Sequence, residues 1–273
     1  MHNLRFRSLI TFTSLWLIGR QRSSCVEEGT AIGDTKGQAW NNDWDQGNPM
    51  AAQVSAGQKS KASRHIIMVR HGHYKKSKAT GDQLTDLGRR QAKLTGKRLR
   101  EWNISWDQVV VSTMTRAQQT SEIILKELNF DPRSVVHTDE LREGAPYLAD
   151  PPSKARRQKL EESIRRDGPR IEAAFRRYFY RAPPDQERES FLLIVCHSNV
   201  IRYVILRALQ LPPEAWTRLS LNHGSITWLT VHPTGYVSLR FMGDSGFMPV
   251  QQISSRCSRD SGLKPPKEIQ NRG

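Results

Sequence analysis

Short continuous apolar runs alternate with longer stretches in which apolar positions recur every three or four residues, and the alternation begins near residue 64. Residues 65–69 predict a first buried strand. The following "LTDLGRRQAKLTGKRLREW" predicts a helix, with Leu87, Ala92, Leu94 and Leu99 on one face and Thr85 as its N-cap. Residues 107–113 predict a second strand and "RAQQTSEIILKELN" a second helix, after which a short strand near Val135 leads into a Pro- and Gly-rich loop over 143–152. A basic helix over about 155–180 should bury Ile164, Ile171, Phe175 and Phe179. "FLLIVCH", residues 191–197, is the most apolar strand, and "NVIRYVILRALQ" forms a helix stopped by Pro212 and Pro213. "SITWLTVH" and "YVSLRFMG" read as a closing antiparallel hairpin turned at 233–235.

Strands and helices in this order predict an α/β three-layer sandwich: a mostly parallel central sheet with helices on both faces. Functional groups in such folds gather beyond the carboxyl ends of the strands. The first strand ends in Arg70, His71 and Gly72, the second in Ser112 with Arg116 close behind, and the central one in His197, Ser198 and Asn199. Glu143 follows the third strand. Two histidines, two arginines and a carboxylate would therefore share one cleft.

That set suits phosphoryl transfer. A neutral imidazole is a nucleophile near neutral pH, arginine forks bind nonbridging phosphate oxygens, and a carboxylic acid can protonate a leaving oxygen. Backbone N–H groups at the start of the helix after His197 add an anion site. His71 and His73 also form an H-x-H pair of the kind that binds zinc. No third ligand is near in sequence and the neighbouring arginines repel a cation, so neither a metal nor another cofactor is expected.

Composition changes this picture at the edges. The chain has 273 residues, with 42 basic against 27 acidic side chains and a formal charge of +15, which favours acidic partners. Between Lys61 and Arg100 the acids are Asp82 and Asp86 alone, so the surplus surrounds the first strand. Cys25, Cys196 and Cys257 are too few and too scattered for a disulfide framework or a zinc cluster.

The first 24 residues lack acids, carry Arg5, Arg7, Arg20 and Arg22, and hold an apolar centre over 9–18. That centre is short of the roughly 20 residues a membrane-crossing helix needs, so a mitochondrial targeting segment or a weak anchor is expected. Residues 25–63 read as a polar linker interrupted by Trp40 and Trp44, rings that must dock on their own domain or on another molecule. Residues 64–254 form the domain, and 255–273 read as a disordered tail.

Four blocks in order, "VRHG", "STMTRAQQTSE", "LREGAP" and "CHSNVIR", resemble the histidine phosphatase superfamily, in its phosphoglycerate-mutase-like branch. "GPRIEAAFRRYFYRAPPDQE" and "GDSGFMP" are similar to the mitochondrial serine/threonine protein phosphatases of that branch. The resemblance implies hydrolysis of phosphoprotein without metal or cofactor. It makes His71 the phosphohistidine nucleophile, Glu143 the proton donor and His197 a further catalytic residue, with Arg70 and Arg116 clamping the phosphate; Ser198 and Asn199, at the helix start after His197, are expected to bind it too. It also implies a homo-oligomer and association with the mitochondrial outer membrane through the N-terminus, with no nucleic-acid partner.

Alternatives are a small-molecule phosphatase or mutase of this fold, or a scaffold that acts by oligomerisation. The family's assembly motif, Trp-Asp-x-Asn-Trp-Asp, is similar to residues 40–45, which keep Trp40, Trp44 and Asp45 but change the second and fourth positions. The Asn that mutases carry after Arg-His-Gly is missing. His73 stands where close relatives have Glu or Gln, a position expected at the rim.

Overall fold

A computed structural model describes residues 39–45, 61–76, 82–152 and 157–255. The targeting segment expected over 1–24, most of the expected linker, Cys25, Cys257 and the tail beyond Ser255 lie outside the described residues.

The chain forms β1 (Arg64–Arg70), β2 (Tyr74–Lys75), β3 (Gln83–Leu84), α1 (Asp86–Glu101), β4 (Gln108–Ser112), α2 (Thr115–Leu128) and β5 (Val135–Thr138). It continues with α3 (Arg157–Tyr178), β6 (Ser190–Cys196), α4 (Ser198–Ala208), β7 (Ile226–Val231) and β8 (Val237–Asp244). Six strands form one sheet in the order β5-β4-β6-β1-β7-β8. β1, β4, β5 and β6 run parallel, while β7 lies antiparallel to β1 and β8 antiparallel to β7. Arg70 pairs with Cys196, and Val111 with Val195, which brings the carboxyl ends of β1, β4 and β6 to one level.

Alternation along the strands explains the layers. In β1, Ile66 and Met68 pack with Ile171, Phe175, Ile201 and Ile205 of α3 and α4. Ile67 and Val69 face the other way, onto Leu99, Ile124 and Leu125 of α1 and α2. Each such fully buried side chain stabilises the fold by about 1.5–3 kcal/mol, so the strand ends that carry the polar groups are rigidly held.

Two helices differ from the amphipathic pattern. Thr85 caps α1 as expected, its hydroxyl accepting from the Gly88 N–H at 3.2 Å. The buried face of α1 is built from Gly88, Gln91, Ala92, Thr95, Gly96 and Leu99, with Leu87 and Leu94 only half-buried. Small and polar residues win there because the helix presses on backbone: a Cβ on Gly72 would lie 2.5 Å from the Gly88 carbonyl oxygen. In α3, Ile171, Phe175 and the nearby Phe179 are buried, but Ile164 is half-buried and Asp167 takes the interior position. Asp167 is held there by Arg166 at 3.0 Å, by Arg170 at 3.3 Å and by the Ala145 N–H at 3.2 Å.

Residues 40–45, expected to be linker, fold back onto the domain at the end of the sheet away from Arg70. Trp44 Nε1 donates to the Gly235 carbonyl at 2.7 Å and its ring meets Phe175 at 5.8 Å. Trp40 meets Tyr236 at 5.6 Å. Asp45 is buried and accepts from Arg181 at its backbone N–H (2.7 Å), Nε (3.0 Å) and Nη2 (2.5 Å).

Candidate active site

His71, His197 and the Glu143 carboxyl meet where β1 and β6 end, with the imidazole centroids of His71 and His197 5.0 Å apart. His71 follows β1 directly, and its backbone N–H donates to the Cys196 carbonyl at 3.0 Å. Its Nδ1 lies 2.8 Å from the Gly72 carbonyl. A carbonyl only accepts, so Nδ1 carries the proton and the lone pair sits on Nε2. That lone pair accepts from Arg116 Nε at 3.1 Å. The tautomer is thus fixed from both sides. Burial, then His197, Arg116, Arg70 and His223, push the His71 pKa well below the imidazole value of 6.5.

Arg116 is buried at the start of α2, and its Nη1 donates to Asp82 at 3.0 Å while its guanidinium covers the Tyr74 ring at 4.6 Å. Arg70, buried at the end of β1, donates from Nη1 to the Leu221 carbonyl at 2.5 Å and the Ser255 carbonyl at 3.0 Å. His197 is fully buried, with Nε2 2.8 Å from the Ser112 hydroxyl and Nδ1 without a hydrogen-bond partner among the described residues. Burial, then Arg116 and Arg70, hold its pKa well below 6.5.

Glu143 Oε1 accepts from the backbone N–H of Asn199 at 3.1 Å. Burial raises its pKa above the ordinary 4.5 against the opposing pull of Arg116, Arg70, the Asn199 N–H and Arg202. Its loop is fixed from α3: Arg170 Nη1 donates to the carbonyls of Asp139 and Glu140 at 2.9 Å and of Arg142 at 2.8 Å. Asn199 itself spends its side-chain amide on Gly144 at 2.9 Å, and Ser198 is buried in the first turn of α4. Both therefore stand at the site, with Asn199 directed at the Glu143 loop.

His71, Glu143 and His197 have ligand-type atoms within 4.8 Å of one another, close enough to share a cation. Their surroundings favour an anion, since the His71 lone pair already accepts from a guanidinium and four arginines depress the pKa of His197. His73 is no partner in such a set. It is half-buried, its Nδ1 2.8 Å from the Thr85 hydroxyl and its backbone N–H donating to Gln91 at 2.8 Å.

Trp40, Trp44 and Asp45 are not brought to this site. Conversely, several of its walls escaped the sequence reading: Asp82, Ser112 as a partner of His197, Thr120, which accepts from the Gly72 N–H at 3.0 Å, and His223. His223 was missed because it precedes β7, the antiparallel neighbour of β1, whose amino end reaches the level of the parallel strands' carboxyl ends.

Residues 66–243 match the model of the histidine phosphatase superfamily, branch 1. The serine/threonine-protein phosphatase Pgam5, mitochondrial, of Drosophila ananassae is 56% identical over 204 residues, covering 74% of this chain and 70% of that protein. Its Drosophila melanogaster counterpart is 54% identical over 203 residues, with 74% and 70% covered. Among solved structures, a putative alpha-ribazole-5'-P phosphatase from Escherichia coli K-12 superposes with a TM-score of 0.50 at 20% identity, over 66% of this chain and 97% of that one, a likeness of fold. By its matched domain and its relatives, the chain belongs to the histidine phosphatase superfamily.

Proposed function

We propose that this chain is a metal-independent serine/threonine protein phosphatase that works through a phosphohistidine on His71. The observation that carries the mechanism is the fixed tautomer of His71, which presents a lone pair on Nε2 beside the Arg116 guanidinium. The names of its close relatives supply the substrate class, phosphoserine and phosphothreonine protein.

Phosphate takes the place of the Arg116 Nε contact, and Arg116 and Arg70 offer donors to its oxygens. Nε2 attacks phosphorus, the P–O bond to the serine or threonine oxygen breaks, and protonated Glu143 delivers its proton to that oxygen. His197 Nδ1, buried and without a hydrogen-bond partner among the described residues, supports a donor role toward the phosphoryl group. Water then attacks the phosphohistidine, the Glu143 carboxylate takes the water's proton, and inorganic phosphate leaves with the His71 lone pair restored. The raised pKa of Glu143 favours the protonated form that the first step needs.

Location is read as mitochondrial, as the relatives are named. Membrane association through residues 1–24 and a homo-oligomer involving Trp40 and Trp44 complete the reading. Among the described residues no helix is long and apolar enough to cross a membrane.

The test is a rapid quench of the wild type with a radiolabelled phosphothreonine peptide. Acid-labile, base-stable label should appear on His71 and be absent from His71→Ala, whose turnover should drop at least about 10³-fold. Turnover unchanged in His71→Ala would sink the mechanism.

A further inference from the structure

His223 lies fully buried behind the candidate site, its ring centroid 5.6 Å from His71 and 5.4 Å from His73. Backbone bonds fix its place. The Gly224 N–H donates to the Arg70 carbonyl at 3.0 Å, the Arg70 N–H to the Ser225 carbonyl at 3.2 Å, and the His223 N–H to the Ser254 carbonyl at 2.7 Å. The imidazole therefore sits between the end of β1 and the segment that follows Gln252.

Its ring nitrogens are both engaged, and their roles follow from the partners. Nε2 lies 3.0 Å from Arg70 Nη2, and a guanidinium only donates, so Nε2 accepts. Nδ1 then carries the ring's proton and donates it to the Ser254 hydroxyl oxygen at 3.0 Å. The same oxygen accepts from Gln91 Nε2 at 3.0 Å, and Gln91 Oε1 accepts from the His73 N–H at 2.8 Å. A buried chain thus runs from α1 through Ser254 and His223 to the guanidinium of Arg70.

We propose that His223 is a positioning residue for phosphate binding, one that sets the plane of the Arg70 guanidinium through Nε2 while Ser254, by accepting from Nδ1, holds the ring in place. The proposal rests on the phosphatase reading given above. Two carbonyls hold Nη1 of Arg70 from one side and the imidazole holds Nη2 from the other, so the fork meets a phosphate already oriented. An acid or a protonated base in this place would fail: a carboxylate would compete with phosphate for the arginine, and an imidazolium would repel it. Burial, then Arg70 and His73, push His223 down to about 2, which keeps its lone pair available throughout the working range.

The experiment compares wild type, His223→Leu, His223→Gln and Ser254→Ala, with inorganic phosphate binding by calorimetry, kcat and KM on a phosphothreonine peptide, and melting temperature. His223→Leu should weaken phosphate about tenfold or more, the usual effect of losing a buried charge-assisted hydrogen bond. His223→Gln, whose amide oxygen can accept from Arg70, should recover most of that loss, and Ser254→Ala should show a loss of a few-fold. Wild-type phosphate affinity in a folded His223→Leu protein would overturn the proposal. If that variant does not fold, Ser254→Ala decides, and unchanged affinity there overturns it. If the wild type binds phosphate, His223→Leu loses it and no form cleaves the peptide, the phosphatase reading fails while this inference stands. If the wild type cleaves the peptide and His223→Leu keeps its phosphate affinity, the reverse holds.

Discussion

The two ends of the central sheet bury polar groups in opposite ways. Beyond the carboxyl end of β1, titratable groups are driven toward their neutral forms: His71, His197 and His223 fall below the ordinary imidazole value and Glu143 rises above that of a free carboxyl. At the end where residues 40–45 dock, charges are matched. Asp45 is clasped by Arg181, and Glu172 accepts from Arg207 at 2.9 Å and from Arg176 at 3.1 Å. Burial pushes Glu172 up, but Arg207, Tyr203 and Arg176 outweigh it and hold its pKa below the usual range. A matched cluster is a clasp. A cluster of neutralised bases beside arginines suits an anion, as the proposed phosphatase mechanism requires.

The largest expected effect breaks the active end. Glu143→Gln keeps the hydrogen bond from the Asn199 N–H but has no acidic proton to give. Turnover of a phosphothreonine peptide should fall about 10²–10⁴-fold, the usual range for a lost general acid. With p-nitrophenyl phosphate, whose leaving group needs no protonation, phosphorylation of His71 should be nearly unchanged in a pre-steady-state burst. An equal loss of that burst would remove Glu143 from the donor role.

The clasp should break as a matter of stability. Asp45→Ala leaves Arg181 without its buried partner and should cost up to about 3 kcal/mol in urea unfolding, less than a fully buried pair because Arg181 is about a quarter exposed. A cost within 0.5 kcal/mol, the range of ordinary surface changes, would show that the docked segment contributes little to the domain.

Acid distinguishes the ends most finely. Below pH 6.5 the unfolded chain takes up protons that His71 and His197 refuse while buried, so stability falls as pH falls. The slope should approach about 1.4 kcal/mol per pH unit for each such imidazole, and His197→Gln should remove one share. Glu172 works lower: its contribution is fully present above its ordinary 4.5 and is lost as pH falls through its depressed folded value. A flat stability curve between pH 6.5 and 4.5 would mean that the imidazoles titrate freely in the folded protein.

What could be read without the fold was whatever depends on local pattern. Continuous apolar runs marked the strands, helical spacing and Thr85 marked α1, and polar residues ending apolar runs singled out Arg70, His71 and His197. The buried faces of α1 and α3 were less legible. Gln91, Thr95 and Asp167 occupy interior positions because each meets a backbone or side-chain partner from a distant part of the chain. Such partners leave no periodic signal.

By itself, the sequence determined the order of the six main strands and four helices, the sheet class and the residue types gathered at the strand ends, because apolar alternation and capping act over a few positions. Only the tertiary structure decided which neighbours those residues meet. It set β7 antiparallel beside β1 and so brought His223 beside Arg70, it fixed the tautomer of His71 between Gly72 and Arg116, and it folded Trp44 and Asp45 onto the far end of the sheet. Each of these depends on a contact between segments far apart in the chain, and their geometry is set by packing rather than by local preference.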